Sequence, residues 1–282
     1  MRPNTLAVLG LGAIGGSLAW QARLAGVPRV VGYDPDRAHG VQALKAAAIH
    51  DLADTAARAM SGAELVVLAA PLAATLTLLD QIGPHLAPGA LVTDVASLKG
   101  PVMERARAAG LASRFAGSHP FAGTHQAGWD GARADLLAGA LVYVCSTGDE
   151  GEAAVREIMN FWETVLAGHP VRIDAVVHDR QLAWTSHLPQ AVASALARTL
   201  AGAEDLRGAT FGSGMRDTTR LAASHPEVWV DILLLNQRPM LDALRAMEGE
   251  LAALRALLER GDRPGLERWL ASAATFRRSL SG

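Results

Sequence analysis

Short, wholly apolar runs punctuate the first half of the chain, each followed by a longer stretch with helical spacing. Leu6-Ala7-Val8-Leu9, Val30-Val31-Gly32-Tyr33, Glu64–Ala70, Ala90–Val95, Phe115-Ala116-Gly117 and Ala140–Cys145 predict strands. Runs without apolar–polar alternation suit strands buried on both faces, as in a parallel sheet. The stretches Ser17–Ala25, around Val41–Ala48, and from Pro71 toward Ile82 predict the intervening helices. This alternation predicts a doubly wound α/β domain over residues 1–148. From Glu150 the spacing turns helical, interrupted only by Val171-Arg172-Ile173. Helices are expected at 151–167, 174–201 and about 225–247, with two more to about residue 279. Residues 149–282 therefore read as an all-helical second domain. Its apolar helices predict a homodimer interface.

Composition excludes several classes of partner. With 282 residues, 50% of them hydrophobic, the chain can bury two cores. A net charge of −2 argues against a nucleic-acid surface. Cys145 is the single cysteine, so neither an intrachain disulfide nor a cysteine metal cluster can form, and no metal site is expected. No apolar run reaches the roughly 18 residues that span a bilayer. The N-terminus enters a strand without a cleavable signal. A cytoplasmic protein without a membrane partner is expected.

The first strand leads into Gly10-Leu11-Gly12-Ala13-Ile14-Gly15-Gly16, a G-x-G-x-x-G run between strand and helix. The first glycine makes the turn, the second admits a pyrophosphate, and the third packs helix on strand. Amides at the helix start, around Ala13 and Ile14, then face the phosphates. Asp34 closes the second strand, nineteen residues beyond Gly15, where an acid binds adenosine ribose hydroxyls. A carboxylate there repels a 2′-phosphate, so NAD is expected over NADP, with Arg37 near enough to soften the preference. The alternative is a turn aspartate before Pro35. The first domain is thus expected to be of Rossmann type.

Gly117-Ser118-His119-Pro120-Phe121-Ala122-Gly123 sets an imidazole on what reads as a stiff, glycine-flanked turn. A catalytic acid or base needs such a mount, although a histidine bonding only to its neighbours would look the same. Strand ends in a parallel sheet gather ligands, and Pro71, Ser97 and His119 are all expected to emerge there.

In the second domain, Pro189 should kink the long helix beside His187, which shares a face with Gln190. A buried histidine satisfied within the core is the alternative. A glycine-rich loop, Gly208–Gly214, precedes Met215-Arg216-Asp217-Thr218-Thr219-Arg220. If helical, this segment lets Arg216 and Arg220 grip one anion, with two threonines completing a carboxylate cradle; solvated surface arginines are the alternative. Ser224-His225-Pro226-Glu227 reads as a capping box.

Taken together, GLGAIGGS (10–17), DVASLKG (94–100), GSHPFAGT (117–124), SHLPQ (186–190) and MRDTTRLAASHPEVW (215–229) resemble the prephenate/arogenate dehydrogenases of tyrosine biosynthesis. The motifs occur in that family's order along nearly the whole chain. The resemblance implies oxidation of a cyclohexadienyl ring alcohol by hydride transfer to NAD, with loss of the ring carboxylate as carbon dioxide. His125, expected on the pocket rim, would repel the ammonium of arogenate, which makes prephenate the expected substrate, with arogenate or both as the alternative. His119 then takes or shares the hydroxyl proton, and Ser97 bonds that hydroxyl or orients the imidazole. Arg220, Arg216, His187, Thr124 and Gln190 are implied to bind substrate. Gly10, Gly12, Ala13, Ile14, Gly15, Asp34 and Pro71 are implied to bind the cofactor. Relatives often carry an acid where this chain has His125. Two other builds compete. A β-hydroxyacid dehydrogenase would place a lysine on the long helix, and 174–201 contains none. A non-catalytic NAD sensor would have no reason to keep Ser97, His119 and paired arginines.

Overall fold

A computed structural model describes residues 1–123, 126–203, 206 and 209–280. Its backbone divides into two compact units, residues 1–182 with 224–235, and residues 183–223 with 236–282.

The first unit is built on the sheet. Its elements run β1 (Thr5–Leu9), α1 (Ala13–Leu24), β2 (Arg29–Tyr33), α2 (Arg37–Lys45), β3 (Asp51–Leu52), α3 (Ala56–Met60), β4 (Leu65–Leu68), α4 (Leu72–Ile82), β5 (Leu91–Asp94), α5 (Gly100–Ala108), β6 (Phe115–Pro120), β7 (Leu141–Ser146), α6 (Glu152–Thr164), β8 (His169–Arg172) and α7 (Ala175–Leu182). The eight strands are ordered β3-β2-β1-β4-β5-β6-β7-β8. Apolar side chains fill both faces. Leu6, Val8, Leu18, Val67, Phe161 and Trp162 pack on one side, and Ala7, Leu9, Val66, Leu68, Leu79 and Phe115 on the other. This explains the unbroken apolar strands, since no face is left for polar alternation.

Two expectations change here. The sheet is parallel except where β6 meets β7 antiparallel, with His119 opposite Tyr143. And the boundary expected at 148/149 does not divide the units, because β8 pairs with β7 and α6 packs against it. Amphipathic α6 buries Ala154, Val155, Ile158, Phe161 and Trp162 against the sheet, so its helical spacing reflected a layer of the first unit.

The second unit contains a π-helical turn (Ala183–His187), α8 (Leu188–Ala201), α9 (Ser213–Thr219) and a 3₁₀ turn (Arg220–Ala223). Between α9 and the later helices lies α10 (Pro226–Leu235), which belongs to the first unit; α11 (Gln237–Glu259) and α12 (Arg263–Ser279) complete the second. The kink expected at Pro189 takes the form of the π turn. Proline lacks the N–H for a regular ladder and crowds the preceding turn, and the backbone widens there. The helix expected over 225–247 is broken at Asn236, which separates α10 from the 23-residue α11.

Candidate active site

The nucleotide end begins where β1 turns into α1. Gly10 has φ +103°, and a Cβ there would sit 2.3 Å from the Ala69 carbonyl oxygen. A Cβ on Gly15 would lie 2.0 Å from the Gly10 carbonyl oxygen. Both positions require glycine because backbone packs on backbone. Gly12 differs: a Cβ there would have nothing nearer than 3.8 Å, which leaves open room beside the start of α1. Gly12 is the N-cap of α1 and has no side chain to bond the first amides, so those donors stay available to an anion. A cavity of about 520 Å³ opens here, lined by Gly12, Ala13, Ile14, Pro71 and Ser97, with Asp231 of α10 on its wall. A second, of about 560 Å³, runs from Gly10 and Pro71 to Asp34 and His39. The glycine cradle and the two cavities fit a dinucleotide.

Asp34 stands at the end of β2. Its Oδ2 accepts the Leu11 N–H at 2.6 Å, and its Oδ1 accepts the Asp36 N–H at 2.8 Å. The turn reading describes this residue, whose carboxylate shapes the turn and also lines the second cavity. Arg37 is turned elsewhere, donating to Asp54 at 2.9 Å. The basic group nearest Asp34 is instead His39, with Nδ1 at 3.5 Å.

His119 lies inside β6, so the expected turn is replaced by a strand. A strand fixes it more firmly, because its neighbour Ser118 is fully buried and bonded on every side. The Ser118 N–H donates to Asp94 Oδ1 at 3.2 Å, and its hydroxyl meets Thr93 Oγ1 at 2.8 Å and Trp162 Nε1 at 2.9 Å. Its carbonyl accepts from Lys99 Nζ at 2.7 Å. Lys99 also pairs with Asp94, and neither side chain is exposed. Burial pushes the Asp94 carboxyl above its ordinary range, against the pull of the Lys99 ammonium and the Ala96 and Ser118 N–H groups. Gly117 admits this pair beneath the strand: a Cβ there would meet Met103 Cε at 2.3 Å and Asp94 Oδ1 at 3.2 Å.

The His119 ring stacks at a tilt on Phe121, with centroids 4.9 Å apart. Its Nδ1 lies 2.9 Å from Nε2 of His178, a wholly buried residue of α7. His178 Nδ1 meets Asp179 Oδ1 at 2.7 Å. Asp179 in turn accepts the N–H groups of Lys99 at 2.9 Å and Gly100 at 2.8 Å. Sequence reasoning passed over Asp94, Lys99, His178 and Asp179. The available signals were an acid and a lysine flanking Ser97, and a His-Asp pair opening the long helix.

Ser97 follows β5 and lines the first cavity; His119 stands on the adjacent strand β6. In the second unit, His187 is 1% exposed, and its Nδ1 lies 3.1 Å from Asn236 Nδ2. Gln190 is buried one turn on, with Nε2 3.4 Å from Ser194 Oγ. Arg216 and Arg220 are exposed, and Arg216 donates to the Phe211 carbonyl at 3.1 Å. The two threonines do not offer their protons to a ligand. Thr218 donates to Gly214 at 2.8 Å and Thr219 to Met215 at 2.7 Å, as helix hydroxyls commonly do. Thr124, His125 and Gly208 lie outside the described residues. Among the described residues there is no group of three His, Cys, Asp or Glu side chains placed to hold a metal, and no helix long and apolar enough to cross a membrane.

Residues 18–169 match the family model described as the prephenate dehydrogenase nucleotide-binding domain, and residues 174–272 match the prephenate dehydrogenase dimerization domain. The chain is 32% identical to the prephenate dehydrogenase of Bacillus subtilis (strain 168), over 98% of this chain and 76% of that protein. It is 30% identical to the cyclohexadienyl dehydrogenase of Zymomonas mobilis, over 91% of this chain and 89% of that one. Its fold superposes on the crystal structure of prephenate dehydrogenase from Aquifex aeolicus, in complex with hydroxyphenyl propionate and NAD⁺, with a TM-score of 0.90 and 27% identity over 98% of both chains. With both halves matched by one family and the glycine cradle intact, the chain belongs to the prephenate dehydrogenase family.

Proposed function

We propose that this chain oxidises prephenate to 4-hydroxyphenylpyruvate, with carbon dioxide as co-product and NAD as oxidant. When bound, NAD supplies the hydride acceptor. His119 takes the proton of the ring hydroxyl while hydride leaves the same carbon, so the O–H electrons become the carbonyl π bond. The ring carboxylate then departs as carbon dioxide, and its C–C electrons complete the aromatic ring. The phenolate oxygen recovers the proton from His119, so no net proton is left behind. Ser97 hydrogen-bonds the reacting hydroxyl. His187 and Gln190 bind the side chain, and Arg216 and Arg220 hold the substrate carboxylates. Fixing a dianion in hydride-transfer geometry can remove several kcal/mol of barrier. The observation that carries this reading is the mounting of His119, an imidazole locked in a central strand by a buried network and backed by a second histidine.

The enzyme is proposed to be a cytoplasmic homodimer joined through its C-terminal helices. Leu251 and Leu258 of α11 and Leu270 and Phe276 of α12 expose 54–66% of their surface, an apolar face that a second copy would cover. The functional test is to offer purified protein prephenate and arogenate, each with NAD and NADP. Equal yields of NADH and 4-hydroxyphenylpyruvate from prephenate support the reading. Absence of turnover with prephenate, or turnover with arogenate alone, refutes it.

A further inference from the structure

The contacts behind His119 form a directed chain. Asp179 receives two backbone N–H bonds from the start of α5, at 2.9 Å on Oδ1 and 2.8 Å on Oδ2, so both of its oxygens act as acceptors. A carboxylate only accepts, so His178 Nδ1, 2.7 Å away, carries a proton and donates it. A neutral His178 then has its lone pair on Nε2. That atom lies 2.9 Å from His119 Nδ1, which must be the donor between them. His119 is left with its lone pair on Nε2. The arrangement follows the logic of a hydrolase triad, in which a buried acid fixes the tautomer of a catalytic imidazole; here a second imidazole stands between them.

We infer that His178 and Asp179 are positioning residues for the reaction, setting His119 as the Nδ1–H tautomer with a basic Nε2. This deepens the proposed function and rests on it. The hydroxyl proton arrives at His119 Nε2 and stays there until the phenolate reclaims it. During that interval the imidazolium keeps its Nδ1–H bond to His178, and the Asp179 carboxylate balances its charge through His178. Tyr143 closes the cluster, edge-on to His178 at 5.6 Å and to Phe121 at 5.0 Å. All of these residues lie in the sheet-bearing unit, so the chain is built without the helical one.

Two substitutions separate positioning from simple packing. Phenylalanine at 178 matches the size of the ring and its aromatic contacts, yet it cannot accept a hydrogen bond. Glutamine offers an oxygen to His119 and an N–H to Asp179. His178→Phe should lower kcat about 10²-fold, with KM for prephenate and NAD within a few-fold. His178→Gln should recover about 10-fold of that loss. Parental kcat in the Phe protein, or equal losses in both proteins with parental melting, would overturn the inference. A measurement on the parental protein does not depend on how the variants fold. Long-range ¹H–¹⁵N NMR of the imidazoles should show both His119 and His178 as Nδ1–H tautomers, and an Nε2–H on either would contradict the chain. If the tautomers are as expected but His119→Asn turns over normally, the functional reading fails instead.

Discussion

Lys99 Nζ donates to the carbonyl of Ser118 at 2.7 Å, and so ties the loop after β5 to the residue immediately before His119. The same ammonium neutralises Asp94 within a fully buried pair. One lysine therefore links the loop that carries Ser97 to the strand that carries His119. Removing a single partner from a buried pair strands the other charge, at a cost of about 3–5 kcal/mol. Lys99→Met should lower unfolding stability by that order and reduce turnover with it. Parental stability in denaturant would show that the pair does not brace the site.

Cofactor choice is proposed to rest on Asp34, whose carboxylate lines the second cavity while Arg37 pairs with Asp54. A 2′-phosphate brought beside it meets like charge, which costs several kcal/mol at close range. The parental protein should prefer NAD clearly, and Asp34→Ser should lower the NAD-to-NADP ratio of kcat/KM by roughly 10-fold or more. Equal efficiency with both cofactors in the parental protein would contradict the assignment.

Cys145 lies in β7 with no exposed surface, and burial pushes its thiol up to about 12. At pH 8 the thiolate fraction is then on the order of 10⁻⁴, too small for ready alkylation. Native protein should resist iodoacetamide and keep its activity, whereas denatured protein should take up one equivalent, matching its single cysteine. Fast labelling of native protein would show that β7 opens.

Substrate preference turns on charge near the side chain, where prephenate has a keto group and arogenate an ammonium. Arg216 and Arg220 suit the carboxylates common to both. Asp217, exposed beside Arg216, is the acid in that segment that an ammonium could use. Prephenate should be the better substrate, with some turnover of arogenate, and Asp217→Asn should lower kcat/KM for arogenate more than for prephenate. A parental protein that strongly prefers arogenate and loses the preference on substitution would reverse the choice and make Asp217 the ammonium partner.

The sheet was legible because its strands are buried on both faces, which prints them as continuous apolar runs such as Leu65–Leu68. The glycine loop was legible for a related reason: backbone contact at Gly10 and Gly15 tolerates no other residue. Local patterns do not reveal pairing between distant segments. The antiparallel turn of β6 onto β7, and the return of α6 and β8 to the first unit, depend on contacts across long separations. His178 and Asp179 were hidden for the same reason. They sit 59 and 60 positions beyond His119, inside a helix whose spacing looks like ordinary core packing. Helix periodicity likewise carried through Asn236, although Pro239, which has no N–H to give Leu235 and crowds its carbonyl, marks the break.

In the proposed reaction the imidazole on β6 is the base of the hydride-transfer step. His119→Asn keeps a hydrogen-bonding side chain but removes the base that accepts the hydroxyl proton. Steady-state kinetics with prephenate and NAD should show kcat reduced by roughly 10²–10⁴-fold, with only a modest change in KM for prephenate. Near-parental kcat in a protein that melts like the parent would show that His119 only holds the strand in place, and the account would fall with it.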